Sequence, residues 1–454
     1  MPHPLSGLRL RLPHPLILLL GCLLAAALLS HVLPAGRYDR RDDPVTGRSV
    51  VVPGTYHNVP PRPVGVFQAV VAVPKGLTDA ASVVFLVFLV GGAFAVVDQT
   101  GALADAIAWL AGRLARRETL VIPIATLVFA LGGITENMQE EIIAFVPILL
   151  LLTRRLGFDP LTAAAVSLGG AGVGAAFSPI NPFQVGIAQK LAQLPPLSGG
   201  LFRAVFLVLA LAIWIWGTVR YAQRHRIASE AVAVPDVRAV TGARSGIVLA
   251  LVLAAFAMLV IGILRLGWGF DELSAVFFTM GLAAGLVAGL GWSGTAEAFV
   301  TGFRSMAGAA MLVGFARAIY VALDEGRILD TIVHGLFTPL AHLPVAASAI
   351  GMMVAHTLVH IPVPSVSGHA VLTIPILVPV SDLLGLSRQV TVLAYQYGAG
   401  LTEILTPTNG AMMAILAAAG VPFSKWLRFA LPLWAALFGL GTLAVVAGIA
   451  FGLS

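Results

Sequence analysis

Carboxylate, hydroxyl and amide side chains collect at four short polar breaks in an otherwise apolar chain. The first, Thr135-Glu136-Asn137-Met138-Gln139-Glu140-Glu141, carries three carboxylates. Acidic groups so close need a cation, a proton or another partner where water is scarce. Two others, Ser178-Pro179-Ile180-Asn181-Pro182 and Thr406-Pro407-Thr408-Asn409, combine proline with hydroxyl and amide groups. Proline removes a backbone donor and interrupts a helix. The restarting half-helices, near Asn137, Phe183, Ser365 and Ala411, would present N–H groups and dipole ends to an anion such as a carboxylate. The upstream halves would end in carbonyls near Ser178 and Thr406 that suit a small cation. The remaining break, Pro364-Ser365-Val366-Ser367-Gly368-His369, offers hydroxyls and an imidazole but no carboxylate. That asymmetry fits a solute with two chemically different ends. The candidate substrate or ion ligands are Glu136, Asn137, Glu140, Glu141, Ser178, Asn181, Ser365, Ser367, His369, Glu403, Thr406, Thr408 and Asn409.

Several of these residues also have a purely structural reading. Asn137 with Glu140 three positions on has the spacing of a capping box for the second arm of a hairpin. Glu403, a turn before Thr406, is either a ligand or one half of a structural pair. Arg317 lies within an apolar run and needs a carboxylate, one supplied by the protein in preference to the solute. His356 and His360, one helical turn apart, read as a packed or hydrogen-bonded pair, since no third metal ligand is evident. Trp109, Trp214, Trp216, Trp268, Trp292 and Trp426 sit mostly near the ends of apolar runs and read as interfacial anchors.

The elements that position these residues follow from composition. Of 454 residues 58% are hydrophobic and only 11% charged, against about a quarter charged in soluble domains. Such a chain belongs in a bilayer. The lone Cys22 excludes disulfide stapling, cysteine zinc sites and iron–sulfur clusters. The net charge of +6 comes from basic groups scattered beside apolar segments, which orients a chain in a membrane and does not mark a nucleic-acid surface. Metalloprotease (His-Glu-x-x-His) and acyl-hydrolase (Gly-x-Ser-x-Gly) signatures do not occur. The chain reads as no enzyme and needs no cofactor beyond a coupling Na+ or H+. A channel would share the polar tips, and dependence of flux on counterflow separates it from a carrier.

Residues 1–34 carry the first span, with Arg9 and Arg11 placing the N-terminus in the cytoplasm. A signal peptide would share that basic start, but the run ends in Pro34 without a small-residue cleavage site. Residues 35–79 read as an external loop with a short hairpin, 80–97 as a span and 101–117 as a helix along the inner face. Two apolar arms too short for comfortable crossings flank the first polar break, and both outer ends carry arginine pairs, Arg116 and Arg117, Arg154 and Arg155. That pattern predicts a re-entrant hairpin, 119–154, with its tip at membrane depth. A broken helix follows at 160–193, a span at 200–219, then an inner linker and two connecting spans within 221–295.

Adding 228 to the residue number maps Pro147-Ile148-Leu149, Leu156-Gly157, Gly170-Ala171-Gly172, Pro179 and Asn181 onto identical residues, ten identities in 35 positions. A register of this length predicts duplication. One copy spans 70–220. The other spans 296–454, with a hairpin at 343–384 and a broken helix at 388–420. An odd number of crossings per copy makes the repeat inverted. The expected fold is an all-α polytopic membrane protein of about nine full spans, two re-entrant helical hairpins and two broken helices. Irregular backbone at membrane depth persists only where it faces protein or a polar cavity, so the four breaks should enclose one central site.

The stretch 365–426, SVSGHAVLTIPILVPVSDLLGLSRQVTVLAYQYGAGLTEILTPTNGAMMAILAAAGVPFSKW, resembles the YfcC-like branch of the anaerobic four-carbon dicarboxylate carrier family, within the ion-transporter superfamily. The pieces FALGGITENMQEEIIAFVPILL and GAGVGAAFSPINPFQVGIA and the early VPKG and VGGAF segments resemble it too, so nearly the whole chain is covered. The resemblance implies a secondary carrier or antiporter in the inner (plasma) membrane, working by an elevator-like motion as a homodimer. Its implied substrates are a basic amino acid or a C4-dicarboxylate. The family's first tip reads close to GMAEET, which Glu140 and Glu141 match and Glu136 and Asn137 do not. Where relatives carry Gly-Asp-Gly this chain has Gly398-Ala399-Gly400, with Glu403 a turn later, so no ion role passes through that aspartate. From the residues and the resemblance together, a small carboxylate-bearing metabolite is expected, with an amino acid favoured and dicarboxylate uptake or exchange the alternative.

Overall fold

The computed structural model describes residues 14–43, 48–102, 118–227, 243–266 and 268–453. It is mostly helical, and seven helices among the described residues are long and apolar enough to cross a membrane. The first helix, α1 (Pro15–Val32), starts with proline at its first position, where no intrahelical donor is lost. Four short strands follow: β1 (Gly36–Arg37), β2 (Arg40–Asp43), β3 (Arg48–Val51) and β4 (His57–Asn58). β2 pairs antiparallel with β3, and β1 with β4. This segment docks on α12 (Leu329–Phe337) far along the chain. Tyr38 N donates to Asp330 at 3.0 Å, Arg40 pairs with Asp330 at 2.8 Å, and the Tyr56 ring stacks on His334 at 4.0 Å.

The loop expected over 35–79 is shorter than that. Residues Val66–Asp79 form a helix, α2, despite the internal Pro74. Tertiary packing overrides the proline: at Gly76 a Cβ would meet Gly314 O and Ala318 N, each 2.5 Å away, so only glycine admits this close crossing. The helix α3 (Ala81–Gln99) continues after a break at Ala80. The inner-face helix expected over 101–117 falls largely outside the described residues, as do Trp109, Arg9, Arg11 and most of the inner linker.

Next come α4 (Val121–Glu136) and α5 (Ile142–Arg155), then α6 (Pro160–Ala176), which contains a π turn over Ala165–Gly169. After the first proline break α7 (182–191) restarts, and α8 (Gly200–Arg224) follows. The pair α9 (Ala243–Ile261) and α10 (Phe270–Ala288) leads into α11 (Gly291–Glu325), an unbroken 35-residue helix. At 1.5 Å per residue it runs about 50 Å. Beyond α12 the chain makes α13 (Val345–His360), α14 (Val366–Leu384), α15 (Arg388–Thr402), α16 (Gly410–Ala418) and α17 (Phe423–Ala450).

Packing divides these helices into two groups. α11 lies against α1, α2 and α3, and α10 against α3 and α9. The hairpin arms and broken helices pack on one another: α4 on α6, α13 and α14 on α15, and α8 and α15 on α17. α16 joins the groups through α11 and α5. The crossings are close because small residues line them, as expected where lipid gives no hydrophobic drive for helix association. A Cβ at Gly133 would lie 2.0 Å from Ala171 O, and one at Gly174 2.4 Å from Ala130 O. Gly174→Val is therefore expected to destabilise the protein by roughly 1–3 kcal/mol through overpacking. Thermal unfolding in detergent checks this, with Gly439→Val, where no atom lies within 4 Å of the added Cβ, left near wild type.

Two of the expected interfacial tryptophans are core residues instead. Trp214 and Trp426 are both 0% exposed. Trp214 Nε1 donates to Ala165 O at 2.9 Å, in the π turn, and Trp426 Nε1 donates to Ile404 O at 2.8 Å, at the second break. The Ala165 carbonyl also accepts from Gly170 N in the π turn, so at these irregular stretches the indoles add a donor from outside the helix. Trp216 and Trp292 are largely exposed, in keeping with anchoring.

Candidate functional site

The tip of the first hairpin is wider than a capping box would make it. Asn137 takes the left-handed conformation, φ 54°, and closes α4 as its C-cap. α5 begins only at Ile142, where Ile142 N, Ile143 N and Ala144 N donate to the carbonyls of Gln139, Glu140 and Glu141. This tight turn satisfies the first-turn donors, so the expected Asn137–Glu140 box is not formed. Both residues turn instead to a shared cavity.

That cavity has a volume of about 470 Å³, within the roughly 300–1,000 Å³ typical of small-molecule sites. Asn137, Gln139, Glu140 and Glu141 line it from the first tip, and Ser365, Val366 and Ser367 from the second. Thr408, Asn409, Gly410 and Ala411 come from the second break, Phe183 from the first, and Glu403 from just beyond α15. The facing wall is Asp79, Val83, Val313, Arg317 and Tyr320 on α2, α3 and α11. A second hollow of about 250 Å³ shares Arg317, Tyr320, Pro364 and Ser365 and reaches Arg40 and Ser49 of the strand segment.

One polar network ties the first tip to the second break. Asn409 Nδ2 donates to Glu403 Oε2 at 2.7 Å and to Gln139 Oε1 at 2.8 Å. Gln139 Nε2 also donates to Glu403, and His360 Nε2 lies 2.6 Å from the other carboxylate oxygen. Asn409 Oδ1 accepts from Met412 N at 3.0 Å, which makes Asn409 the N-cap of α16 and turns its amide hydrogens toward the carboxylate. Ser365 caps α14 in the same way, its hydroxyl accepting from Gly368 N.

Four expected ligands lie elsewhere. Ser178 Oγ donates to Ile134 O at 2.8 Å and accepts from Ile180 N and Asn181 N. Asn181 Nδ2 donates to Gly133 O at 2.7 Å, while Oδ1 caps Phe183 N and Gln184 N. These two residues clamp the first hairpin to the first break and do not line the cavity. The Ser178 carbonyl, expected to meet a cation, accepts from Gln396 Nε2 at 2.8 Å. Thr406 Oγ1 bonds Thr408 Oγ1 at 2.7 Å and lies behind the wall, with Thr406 O accepting from Asn409 N. His369 sits deeper, against His356 and His360. The Glu136 side chain is outside the described residues. Arg317 meets the expected protein carboxylate, Asp79, and its guanidinium lies 4.6 Å from the Tyr320 ring. Among the described residues no group of three or more His, Cys, Asp or Glu side chains is placed to hold a metal ion.

The described family "C4-dicarboxylate anaerobic carrier" (DcuC) matches residues 12–450. The chain belongs to this family. As a DcuC-family chain it is a multi-pass membrane transporter rather than an enzyme. It is 33% identical over 402 residues to the Escherichia coli protein carrying the name "Putative basic amino acid antiporter YfcC", covering 82% of this chain and 79% of that one. A Haemophilus influenzae protein described as uncharacterized is 28% identical over 418 residues, covering 88% and 82%. Among solved structures, the YdaH transporter of Alcanivorax borkumensis is 18% identical with a TM-score of 0.45, covering 97% of this chain and 99% of that one. MtrF of Neisseria gonorrhoeae, titled as illuminating a class of antimetabolite efflux pumps, is 17% identical with a TM-score of 0.42, covering 96% and 95%.

Sequence reading of this DcuC-family chain missed Gln139, whose neutral amide lies among glutamates yet bridges the tip to Glu403 and Asn409. It also missed Asp79 and Arg203. Arg203 is 0% exposed and donates to Gln396, Ser198 O and Gln389 at 2.9, 2.7 and 3.0 Å. An arginine three residues into an apolar run was the available signal.

Proposed function

We propose that the chain is a secondary active transporter or antiporter for a small carboxylate-bearing metabolite with a cationic end, an amino acid and in particular a basic one. The observation that carries this reading is the charge of the cavity wall. Glu140, Glu141 and Glu403 line it, whereas its one arginine, Arg317, is matched by Asp79 across the same space. An ammonium or guanidinium group is attracted to that wall, while a second carboxylate would meet like charge. The solute's own carboxylate has the first turns of α14 and α16, with Ser365, Ser367 and the Gly410–Ala411 backbone. The E. coli relative's name points the same way. The alternative, C4-dicarboxylate uptake or exchange, takes its support from the family's description and requires Arg317 to leave Asp79.

The mechanism we infer is elevator-like alternating access of an inverted repeat. It is supported by the recurrence of a hairpin, a broken helix and a closing long helix, α4–α8 and again α13–α17, and by the two packing groups, one carrying the tips and breaks and the other the facing wall. On this reading Na+ or H+ is the coupling ion and about nine spans cross the inner membrane. The N-terminus is then cytoplasmic, and two copies form a dimer.

Uptake of labelled arginine, ornithine and succinate into proteoliposomes tests the substrate reading. Arginine or ornithine should be taken up, and Glu140→Gln or Glu141→Gln should lower that uptake by about tenfold or more, the loss of one buried charge contact. Succinate uptake that ignores both substitutions would overturn the choice of an amino acid.

A further inference from the structure

Behind the second tip the two arms of its hairpin are joined by three buried imidazoles that solute contacts leave unused. His356 and His360 on α13 and His369 on α14 are each 0% exposed. His356 Nδ1 is 2.8 Å from His369 Nε2, His369 Nδ1 is 3.2 Å from His360 Nδ1, and His360 Nε2 is 2.6 Å from Glu403 Oε1. Phe337 packs on His356, and Tyr395 on His356 and His369, with ring centroids 4.9, 5.3 and 5.6 Å apart. Of the four residues in the series, Glu403 is the one that lines the cavity. At the far end His356 Nε2 is buried without a hydrogen-bond partner.

Each contact in this series holds one hydrogen, so fixing one end fixes every ring. Glu403 Oε2 accepts from the amides of Asn409 and Gln139, and Oε1 faces His360. With the carboxylate ionised, His360 donates from Nε2, and its bare Nδ1 accepts from His369 Nδ1–H. His369 then accepts at Nε2 from His356 Nδ1–H, and His356 Nε2 is left bare. All three rings are neutral, and the series ends on an unused acceptor. The opposite direction puts a carboxyl hydrogen on Oε1 and leaves an N–H on His356 Nε2 with no acceptor. A cationic His369 leaves the same orphan donor and adds a buried charge. Unpaired buried donors are rarer than unpaired acceptors, and burying a further charge costs more still. The far end therefore selects the first arrangement.

We propose that His360, kept in one tautomer by His369 and His356, positions Glu403 as an ionised ligand for the cationic end of the solute. The proposal deepens the transport reading above and rests on it for the solute. A carboxylate offers about four lone-pair sites. Gln139, Asn409 and His360 occupy three of them, which fixes the orientation of the group and leaves a place on Oε1 for a donor from the cavity. Such a carboxylate carries no hydrogen of its own and meets an ammonium or guanidinium as an acceptor. His360 does not line the cavity. It acts through Glu403, and His369 and His356 act through His360. Tyr395 stays outside the series, with its hydroxyl donating to Val366 O at 2.6 Å.

The test uses the full chain in proteoliposomes with labelled arginine, and with citrulline, its uncharged isostere, as competitor. His360→Leu, which removes the donor, should raise the arginine KM by about tenfold or more with kcat within about twofold, the pattern of a lost binding contact. Its preference for arginine over citrulline should fall by a similar factor. His360→Gln, whose amide donates from the place of Nε2, should keep both values within about threefold of wild type. Equal KM in wild type and His360→Leu, or a loss of kcat in both variants with KM and preference unchanged, overturns the proposal, because a purely structural role acts that way. Nitrogen NMR of 15N-histidine protein reads the tautomers directly, each ring being assigned by its own substitution. Wild type should show neutral rings with hydrogen on His360 Nε2, His369 Nδ1 and His356 Nδ1. In Glu403→Gln, Asn409 and Gln139 hold the amide oxygen, so the amide nitrogen donates to His360 Nε2 and all three rings should adopt the other tautomer. A cationic ring, or tautomers that ignore Glu403→Gln, overturns the proposal. If wild type takes up no arginine, the amino-acid reading fails, and the tautomers alone decide whether the histidines position Glu403.

Discussion

Asn409→Ala should lower transport by about 10- to 100-fold per folded molecule, whereas Asn181→Ala, at the first proline break, should act mainly on stability. Both asparagines cap a restarting half-helix, and losing such a cap costs about 0.5–2 kcal/mol. Their second bonds differ. Asn181 Nδ2 holds Gly133 O, a backbone group of the first hairpin. Asn409 Nδ2 holds Glu403 Oε2 and Gln139 Oε1 on the cavity wall. Removing Asn181 takes one of two donors from Gly133 O, which keeps the Asn137 backbone N–H, a further cost of about 0.5–1.5 kcal/mol that a thermal shift in detergent reports. Removing Asn409 strips a donor from Glu403 and unties the first tip from the second break, so solute contacts on both sides lose their register. Uptake normalised to folded protein separates the two cases. Equal loss of transport in both variants would contradict the assignment.

The largest stability effect is expected at Arg203. Its guanidinium donates at once to Gln396 Oε1, Ser198 O and Gln389 Oε1, joining α8 to α15. Arg203→Ala leaves two buried acceptors, Gln396 Oε1 and Gln389 Oε1, without that donor at about 1–3 kcal/mol each, a sizeable share of the roughly 5–15 kcal/mol that holds a typical domain folded, while Ser198 O keeps its bond from Gln189 Nε2. Folded yield and thermal unfolding should both collapse. Arg203→Lys should not restore them, because one ammonium cannot reproduce the planar fork. An unchanged melting temperature for Arg203→Ala would show that the interior does not depend on this cation.

The elements that broke helical periodicity were legible because proline and clustered polar residues leave a mark in an apolar background. Pro179 and Pro407 marked both breaks, Glu140 and Glu141 the first tip, and Ser365 and Ser367 the second; the two tips' marked residues reach the cavity, as do Thr408 and Asn409 of the second break. What sequence reasoning could not see was how the loose ends are tied. Asn137 and Glu140 have capping-box spacing, but a tight turn at Gln139–Glu141 had already satisfied the donors. Trp214 and Trp426 look like interfacial anchors until the carbonyls of Ala165 and Ile404, at stretches of irregular backbone, take their indole hydrogens. Asn181 and Asn409 occupy matching positions, yet only the second faces the cavity, a difference set by which hairpin each break meets. The pairing of Gln139 with Glu403 spans 264 positions, and no local pattern announces a contact at that separation.

Both tips and the second break bound one cavity, and on the proposed reading the solute binds there. Labelling a single cysteine tests it most directly. In a Cys22→Ser background, Ser367→Cys should react with a membrane-impermeant maleimide, and saturating arginine should slow that reaction by about tenfold or more, as expected when a ligand fills the space beside the thiol. Asn58→Cys on the exposed strand segment should react equally with and without arginine. Labelling of Ser367→Cys that no transported solute slows would contradict a shared cavity at the second tip.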